Sequence, residues 1–509
     1  MITANEQLVR LATDRPDEVA VVAVAPDGTE STLTRRELAG GAARTARLLQ
    51  EHGVDRHSLV VLLLPNGLPW VVACYAAWWL GACVTPMSPR TPAWERDQLL
   101  TAATESGRPL TLVADTDVPG HRVVTTAELA DTDRYPDDPL PRVVAQPYRA
   151  VPSGGSTGRP KIIVFDLPLE GVPGRASAID TLSGRRPGDD VLVLGPLYHT
   201  GPFGSVNHGL FHGGRVVVME RFDAELALRL IERHRINWLF SVPAQLQRMA
   251  RVEGVERFDL SSIGGLYQSG ATMPPWLKQR WIELLGPTKV YEGFGSTESN
   301  GILLIRGDEW LEHPGSVGRP MISDVEIRDE DGHELPPGQV GEIHMRWLQD
   351  GSLAGSLADV RCEYWGSPSP QPDDRGFSSV GDLGWMDGEG YVHIADRRVD
   401  LVITGGVNVY PAEVETALSE HPEVDDVVVI GLADDEWGRR VHAIVESSAE
   451  PVALVDELDG HARARLAPAK VPKSYEVVTA LLRADSGKVR RAALADERAG
   501  GVAGELRPR

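Results

Sequence analysis

Residues 59–64 form an unbroken apolar run that ends at Pro65-Asn66-Gly67 and leads straight into a second apolar stretch, residues 70–80. A strand that is apolar at every position, not at alternate ones, has to be covered on both faces. The pattern predicts a buried strand, a turn set by Pro and Gly, a helix, and a further strand reaching Thr85. The rhythm recurs with strand 191–194, strand 215–219 before helix 224–233, and strand 237–241 before helix 243–250. Such alternation predicts an α/β fold of largely parallel sheets covered by helices. Upstream, residues 18–38 predict short strands about a turn at Asp27-Gly28, then a helix that Thr34 caps ahead of Glu37.

Near residue 313 the texture changes. Turn clusters at 313–320, 329–332 and 336–338 punctuate short alternating strands at 325–328 and 341–346, which predicts a small antiparallel β region. A further alternating block, 384–395, leads to Asp396-Arg397-Arg398-Val399-Asp400. Beyond it, helix 411–418, strand 424–432, a pairing strand 441–446 and helix 452–466 predict a compact α+β unit. At 509 residues the chain exceeds one hydrophobic core, so it is a multidomain protein.

A formal net charge of −22 excludes non-specific binding to nucleic acid or to an anionic membrane surface. A site for an anionic substrate must therefore make its own positive field, and only six of the 51 basic residues are lysines. The longest apolar helix is too short to span a bilayer, which needs roughly 20 residues. Three cysteines, Cys74, Cys83 and Cys362, make no disulfide framework, and the N-terminus has no basic-then-apolar leader pattern. A cytoplasmic location is expected.

The densest chemical feature is Ser153-Gly154-Gly155-Ser156-Thr157-Gly158-Arg159-Pro160-Lys161. Glycines let backbone N–H groups converge on an anion, the hydroxyls add donors, and Lys161 adds a charge. The order is not that of a Walker A loop. Further along come Tyr291-Glu-Gly-Phe-Gly-Ser-Thr-Glu298, Gly381-Asp382, Arg397 and Ser486-Gly487-Lys488.

In that order and spacing these segments resemble the adenylate-forming superfamily, which includes acyl-CoA synthetases, adenylation domains and beetle luciferases. The resemblance spans nearly the whole chain. It implies a large N-terminal domain of two β-α lobes plus a small β-barrel (1–396), a hinge (397–400) and a small mobile α+β domain (401–496). The Gly-rich tail 497–509 is expected to be disordered. The implied chemistry joins a carboxylic acid to ATP as an acyl-adenylate and passes the acyl group to a thiol, with Mg2+ and CoA as the further small molecules. By resemblance, Ser153, Gly154, Gly155, Ser156, Thr157, Gly158 and Lys161 hold the β- and γ-phosphates and Thr297 the α-phosphate. Glu298 helps to hold Mg2+, Asp382 and Arg397 take the ribose, and Phe294 lies against adenine. Lys488 reaches in from the mobile domain between carboxylate and α-phosphate.

For the thiol half-reaction the resemblance implies rotation that brings Thr404-Gly405-Gly406 to the site. Trp437 and Lys473 match CoA-contacting positions of benzoate-type ligases, though Trp437 also reads as a packing residue, and Val471 replaces an arginine of that pattern. The hinge departs too, with Asp396 in place of glycine and Val399 in place of a charged residue. This leaves open a protein efficient in one half-reaction only, fed by a partner adenylating enzyme. Leu197-Tyr198-His199 resembles the acyl-pocket segment of acyl-CoA synthetases, and by that resemblance the pocket would draw on Tyr198, His199, the stretch Val206–Gly209, Tyr267 to Gly270, and Phe294. His199 also reads as a core histidine. Small residues at 204, 209 and 268–271 lean towards a bulky, bile-acid-like or terpenoid acid. Transfer to a separate carrier protein, oxidative light emission, a non-catalytic nucleotide-binding role and a homodimer remain open alternatives.

Overall fold

The computed structural model describes the chain except residues 154–160, 299, 349–361, 435–436, 484–486 and 509, and gives only the backbone of Ala178, Arg397 and Arg398. The expected buried strand is Leu59–Leu63, with every residue buried. Val60 and Leu62 point into a core shared with helices Arg35–Glu51 and Leu68–Trp79, while Leu59, Val61 and Leu63 pack with Leu99, Leu100 and Ile162. Both faces are covered, which is why no polar residue interrupts the run. Thr34 caps helix Arg35–Glu51, and Glu37 returns the bond to the Thr34 backbone, 2.8 Å away.

Two largely parallel sheets result. The smaller runs Cys83–Pro86, Leu59–Leu63, Leu110–Ala114, Arg122–Val124, all parallel. The larger has eight strands in the order Ile302–Arg306, Val290–Gly295, Gly265–Gln268, Trp238–Ser241, Val191–Val193, Val216–Met219, Val19–Val24, Glu30–Thr34, antiparallel only at its two edges. Alternation along its strands sorts the side chains. Val191, Val193, Trp238, Phe240 and Tyr267 face helix Thr200–Phe211, and Leu192, Leu239 and Leu266 face the opposite layer.

The predicted antiparallel region is a four-stranded sheet, Ser323–Arg328, Gly341–Trp347, Asp382–Met386, Val392–Arg397. The alternating block 384–395 is two strands of this sheet and not one, because Asp387 Oδ1 accepts the Glu389 and Tyr391 N–H groups and turns the chain. A three-stranded sheet, Cys362–Trp365, Lys161–Phe165, Ala150–Ser153, joins segments about 200 residues apart and adds to the two parallel sheets.

The C-terminal unit pairs Asp426–Asp434 with Gly438–Glu446 antiparallel and adds Ser474–Val478 in parallel. Its tail departs from the expectation of disorder. Leu506 exchanges two backbone hydrogen bonds with Tyr475, at 2.8 and 2.9 Å, and packs on that unit's core. An apolar residue at the end of a Gly-rich segment is enough to seat it. Gln247 Nε2 donates to Asp425 O at 2.7 Å, Arg251 to Ser419 O at 3.2 Å, and Arg490 pairs with Glu95 at 2.9 Å, so this unit docks on the rest of the chain. Among the described residues no helix is long and apolar enough to cross a membrane.

Candidate active site

Strands Ala150–Ser153 and Lys161–Phe165 are antiparallel partners, and Ser153 lies opposite Lys161. Residues 154–160 join them, so Gly154, Gly155, Ser156, Thr157 and Gly158 lie outside the described residues. Lys161 Nζ stands 3.1 Å from Glu298 Oε1, which also accepts the Tyr364 hydroxyl at 2.7 Å. The ammonium sits 3.6 Å from the centre of the Tyr364 ring, a cation–π contact. Burial pushes the Glu298 carboxyl up, but the Tyr364 hydroxyl and Lys161 more than offset it, leaving the pKa below the usual range. Glu298 is therefore an ionised, half-enclosed carboxylate beside Lys161, a hard oxygen donor of the kind that suits Mg2+. Tyr364 was not singled out from sequence; the signal was the strand Cys362–Trp365, which pairs Tyr364 with Ile163 just past the loop.

Thr297 occupies the turn after strand Val290–Gly295, one residue before Glu298, and is half-buried. Phe294, on that strand, packs partly on the antiparallel sheet around Leu303 and Val317. Asp382 is buried at the start of its strand, and its register partner is Arg397. The two therefore stand side by side across one ladder; the Arg397 side chain lies outside the described residues.

The acyl candidates gather where the parallel strands of the large sheet end, the usual crevice of open α/β sheets. His199 is the N-cap residue of helix Thr200–Phe211, and its ring lies 4.7 Å from that of Tyr198. Burial, assisted by the nearby Lys488 charge, lowers its pKa to about 3, so the imidazole is neutral at any working pH. Lys488 is exposed and follows Gly487, whose positive φ of 75° brings the segment against Val242. A Cβ on Gly270 would also meet Val242, at 3.5 Å. The structure thus brings Lys488, His199 and Gly270 to one place.

Tyr267 lies on the neighbouring strand Gly265–Gln268. Its ring stacks on Trp238 at 6.2 Å and tilts against Phe240 at 5.8 Å. Small residues here do not all leave room. A Cβ on Gly201 would strike the Phe240 ring at 2.5 Å, one on Gly293 the Tyr267 ring, and one on Gly209 Val216 at 2.7 Å; only Gly204 opens on free space.

The CoA candidates form a separate group. Gly405 and Gly406 turn the hairpin Val402–Thr404 and Val407–Val409 with φ of 55° and 82°, which a two-residue turn of this kind requires. The Gly405 N–H donates to Trp437 O at 2.9 Å, and Lys473 Nζ lies 5.7 Å from the Trp437 ring. Trp437 is 41% exposed, so its ring is presented to solvent and not packed into the core.

A family model for AMP-binding enzymes matches residues 8–349, and one for the C-terminal domain of AMP-binding enzymes matches residues 413–488. A feruloyl-CoA synthase from an Amycolatopsis species is 32% identical over 478 residues, covering 90% of this chain and 92% of that protein. A long-chain-fatty-acid–CoA ligase of Mycobacterium tuberculosis is 30% identical over 491 residues, covering 92% and 94%. The solved structure of o-succinylbenzoate CoA synthetase from Bacillus subtilis, in complex with its acyl-adenylate intermediate, aligns with a TM-score of 0.78 at 26% identity, covering 97% of this chain and 99% of that one.

Proposed function

Because this chain belongs to the AMP-binding enzymes and is an ATP-dependent, AMP-forming acyl-CoA ligase, we propose that its acid is hydrophobic and ring-bearing, held between helix Thr200–Phe211 and the rings of Trp238, Phe240 and Tyr267. The aromatic face carries this reading: Phe240 and Tyr267, each only partly buried, offer stacking surface to a flat acyl group, and the buried Trp238 backs the Tyr267 ring. The open side of Gly204 favours the bulkier, polycyclic acid suggested by the small residues. The rings beside Gly201 and Gly293 favour a narrower one.

In this reading the acid's carboxylate oxygen attacks the α-phosphorus of ATP, the bond to the β-phosphate breaks, and pyrophosphate leaves. The CoA sulfur then attacks the acyl carbonyl and AMP leaves. Two anions must meet in the first step, so the site has to supply cations and fixed donors. Ser153, Lys161 and the intervening loop take the β- and γ-phosphates, Thr297 the α-phosphate, and Asp382 with Arg397 the ribose. Glu298 would hold Mg2+, which supplies charge neutralisation for the phosphates. Its present partner Lys161 stands where a phosphate could take over the ammonium. Lys488 stands between carboxylate and α-phosphate. The neutral His199 borders the acyl pocket without a charge of its own to bind the carboxylate elsewhere. Gly405, Gly406, Trp437 and Lys473 receive CoA.

A second reading has support in the hinge. Asp396 accepts the Ala412 N–H at 2.8 Å and Asp400 pairs with Arg491 at 2.9 Å, so both ends of the hinge are tied in this arrangement. The restraint holds the arrangement in which Lys488 reaches the acyl site, so it fits an enzyme efficient in the first half-reaction and slower in the second, and it speaks against one that takes its adenylate from a partner. Incubating the purified protein with a panel of acids, ATP, Mg2+ and either CoA or a holo-carrier protein, with mass-spectrometric detection, separates these readings. The expected product is the CoA thioester of a ring-bearing acid. Thioesters of straight-chain acids alone contradict the aromatic slot, and pyrophosphate release with acid and ATP alone eliminates the partner-fed reading.

A further inference from the structure

The acyl slot proposed between helix Thr200–Phe211 and the rings of the large sheet does not end in apolar residues. Helix Thr200–Phe211 presents Gly201, Gly204 and His208 on one face, at spacings of three and four residues. Gly201 abuts Phe240, Gly204 faces open space, and His208 comes next along the same stripe. His208 lies nine positions after His199, about 13.5 Å along the helix axis at roughly 1.5 Å per residue. The far end of the slot is thus one small ring-bearing acid's length from the carboxylate end.

A buried polar cluster occupies that end. Asp180 is 3% exposed and closes a capping box with Ser177. Its Oδ1 accepts Arg185 Nε at 2.8 Å and a second Arg185 N–H, and the Arg185 guanidinium lies 4.8 Å from the centre of the Trp238 ring. His208 Nδ1 stands 3.3 Å from the same oxygen, and His208 is 9% exposed. A carboxylate oxygen offers only lone pairs, so the tautomer with its proton on Nδ1 suits this contact, and in that tautomer Nε2 presents a lone pair. His208 Nε2 is buried and has no hydrogen-bond partner among the described residues. The neighbouring His212 does not supply one: its Nδ1 accepts the Gly174 N–H at 3.2 Å, and the two rings lie 4.3 Å apart.

An acceptor left unpaired in the interior is costly, and a site that hydrogen-bonds a substrate group discriminates strongly against the analogue lacking it. Asp180, His208 and His212 bring ligand atoms within 4.8 Å of one another, as a metal site would. The Arg185 charge already on Asp180 opposes a cation there. A neutral hydrogen-bond donor meets no such opposition.

We propose that the floor of the acyl slot reads a hydroxyl at the distal end of the acid through His208 Nε2, so that the substrates are hydroxylated, ring-bearing carboxylic acids. The proposal rests on the ligase reading above. Its test is a set of ring-bearing acids in matched pairs, with a hydroxyl or a hydrogen at the ring position farthest from the carboxylate, together with ringless acids. Acid-dependent AMP release is measured with ATP, Mg2+ and CoA. The hydroxylated member is expected to win by about tenfold or more in kcat/KM. His208→Phe should bring the ratio to about 1, and His208→Gln, whose amide oxygen can accept, should restore part of it. A folding defect would scale both members alike and leave the ratio untouched. Equal kcat/KM within each pair, preference for the unhydroxylated member, a ratio unmoved in His208→Phe, or turnover of ringless acids only would overturn the proposal and leave the ligase reading standing. No acid-dependent AMP release from any acid would instead overturn the ligase reading.

Discussion

Glu298 and Lys161 are 137 residues apart in the chain and 3.1 Å apart in the fold. Each was legible in the sequence from residue type and order, but their pairing was not, because it depends on a sheet that places Tyr364 over both. The same holds for Arg185: an arginine in a loop carries no local signal, and only the turn that Ser177 and Asp180 cap makes it a neighbour of His208, which lies in the stretch 206–209 assigned to the acyl pocket by resemblance. Lys488 offers the sharpest test at this scale. Loss of a preorganised cation costs on the order of 3 kcal/mol, so Lys488→Ala should slow acid-dependent pyrophosphate release about a hundredfold or more. Thioester formation from a supplied acyl-adenylate should stay within a few fold of wild type. Equal loss in both assays would contradict the assignment of Lys488 to the first half-reaction alone.

At the scale of elements, the sequence was most informative where burial on both faces or a capping box left one solution. Strand Leu59–Leu63 and helix Arg35–Glu51 were readable for those reasons. It was least informative where a single long-range contact decides the outcome, as with Leu506 on Tyr475. The hinge combines both cases. The departure at Asp396 was visible as a residue type, but its use was not. The carboxylate caps the N-terminal turn of helix Pro411–Ser419, where Pro411 supplies no N–H and Ala412 supplies one. Val399 is 66% exposed and is in no hydrophobic cluster among the described residues, so its burial does not explain its choice. Replacing Asp396 by glycine removes a cap worth about 1 kcal/mol. Amide exchange at Ala412 should then speed up about fivefold, and thioester formation from a supplied adenylate should rise relative to adenylation. Unchanged exchange at Ala412 would show that the cap does not hold the helix in solution.

At the scale of the whole molecule, the α/β class and the antiparallel insert followed from hydrophobic period alone, whereas the order of the eight-stranded sheet did not, since crossovers leave no local trace. The buried histidines give the assembled fold a pH signature. Burial holds His442 at about 4 and His199 at about 3, and lowers His208, His212, His344 and His421 as well. On acidification the unfolded chain binds protons near 6.5, before these folded groups do, so stability falls as pH drops from about 6.5 towards 4. Asp189 and Glu446, whose carboxyls burial pushes up, act in the opposite sense but are fewer. The midpoint of thermal unfolding should therefore be lower at pH 5 than at pH 7.5; a higher value at pH 5 would contradict the burial described here.

The central claim is that one site on this chain makes a carboxylic acid electrophilic by joining it to AMP. The most direct measurement is product analysis after incubation with a ring-bearing acid, ATP, Mg2+ and CoA. AMP, pyrophosphate and acyl-CoA in equal amounts, each dependent on the acid, are predicted. ADP and inorganic phosphate as the nucleotide products, or AMP formed at the same rate without acid, would contradict it.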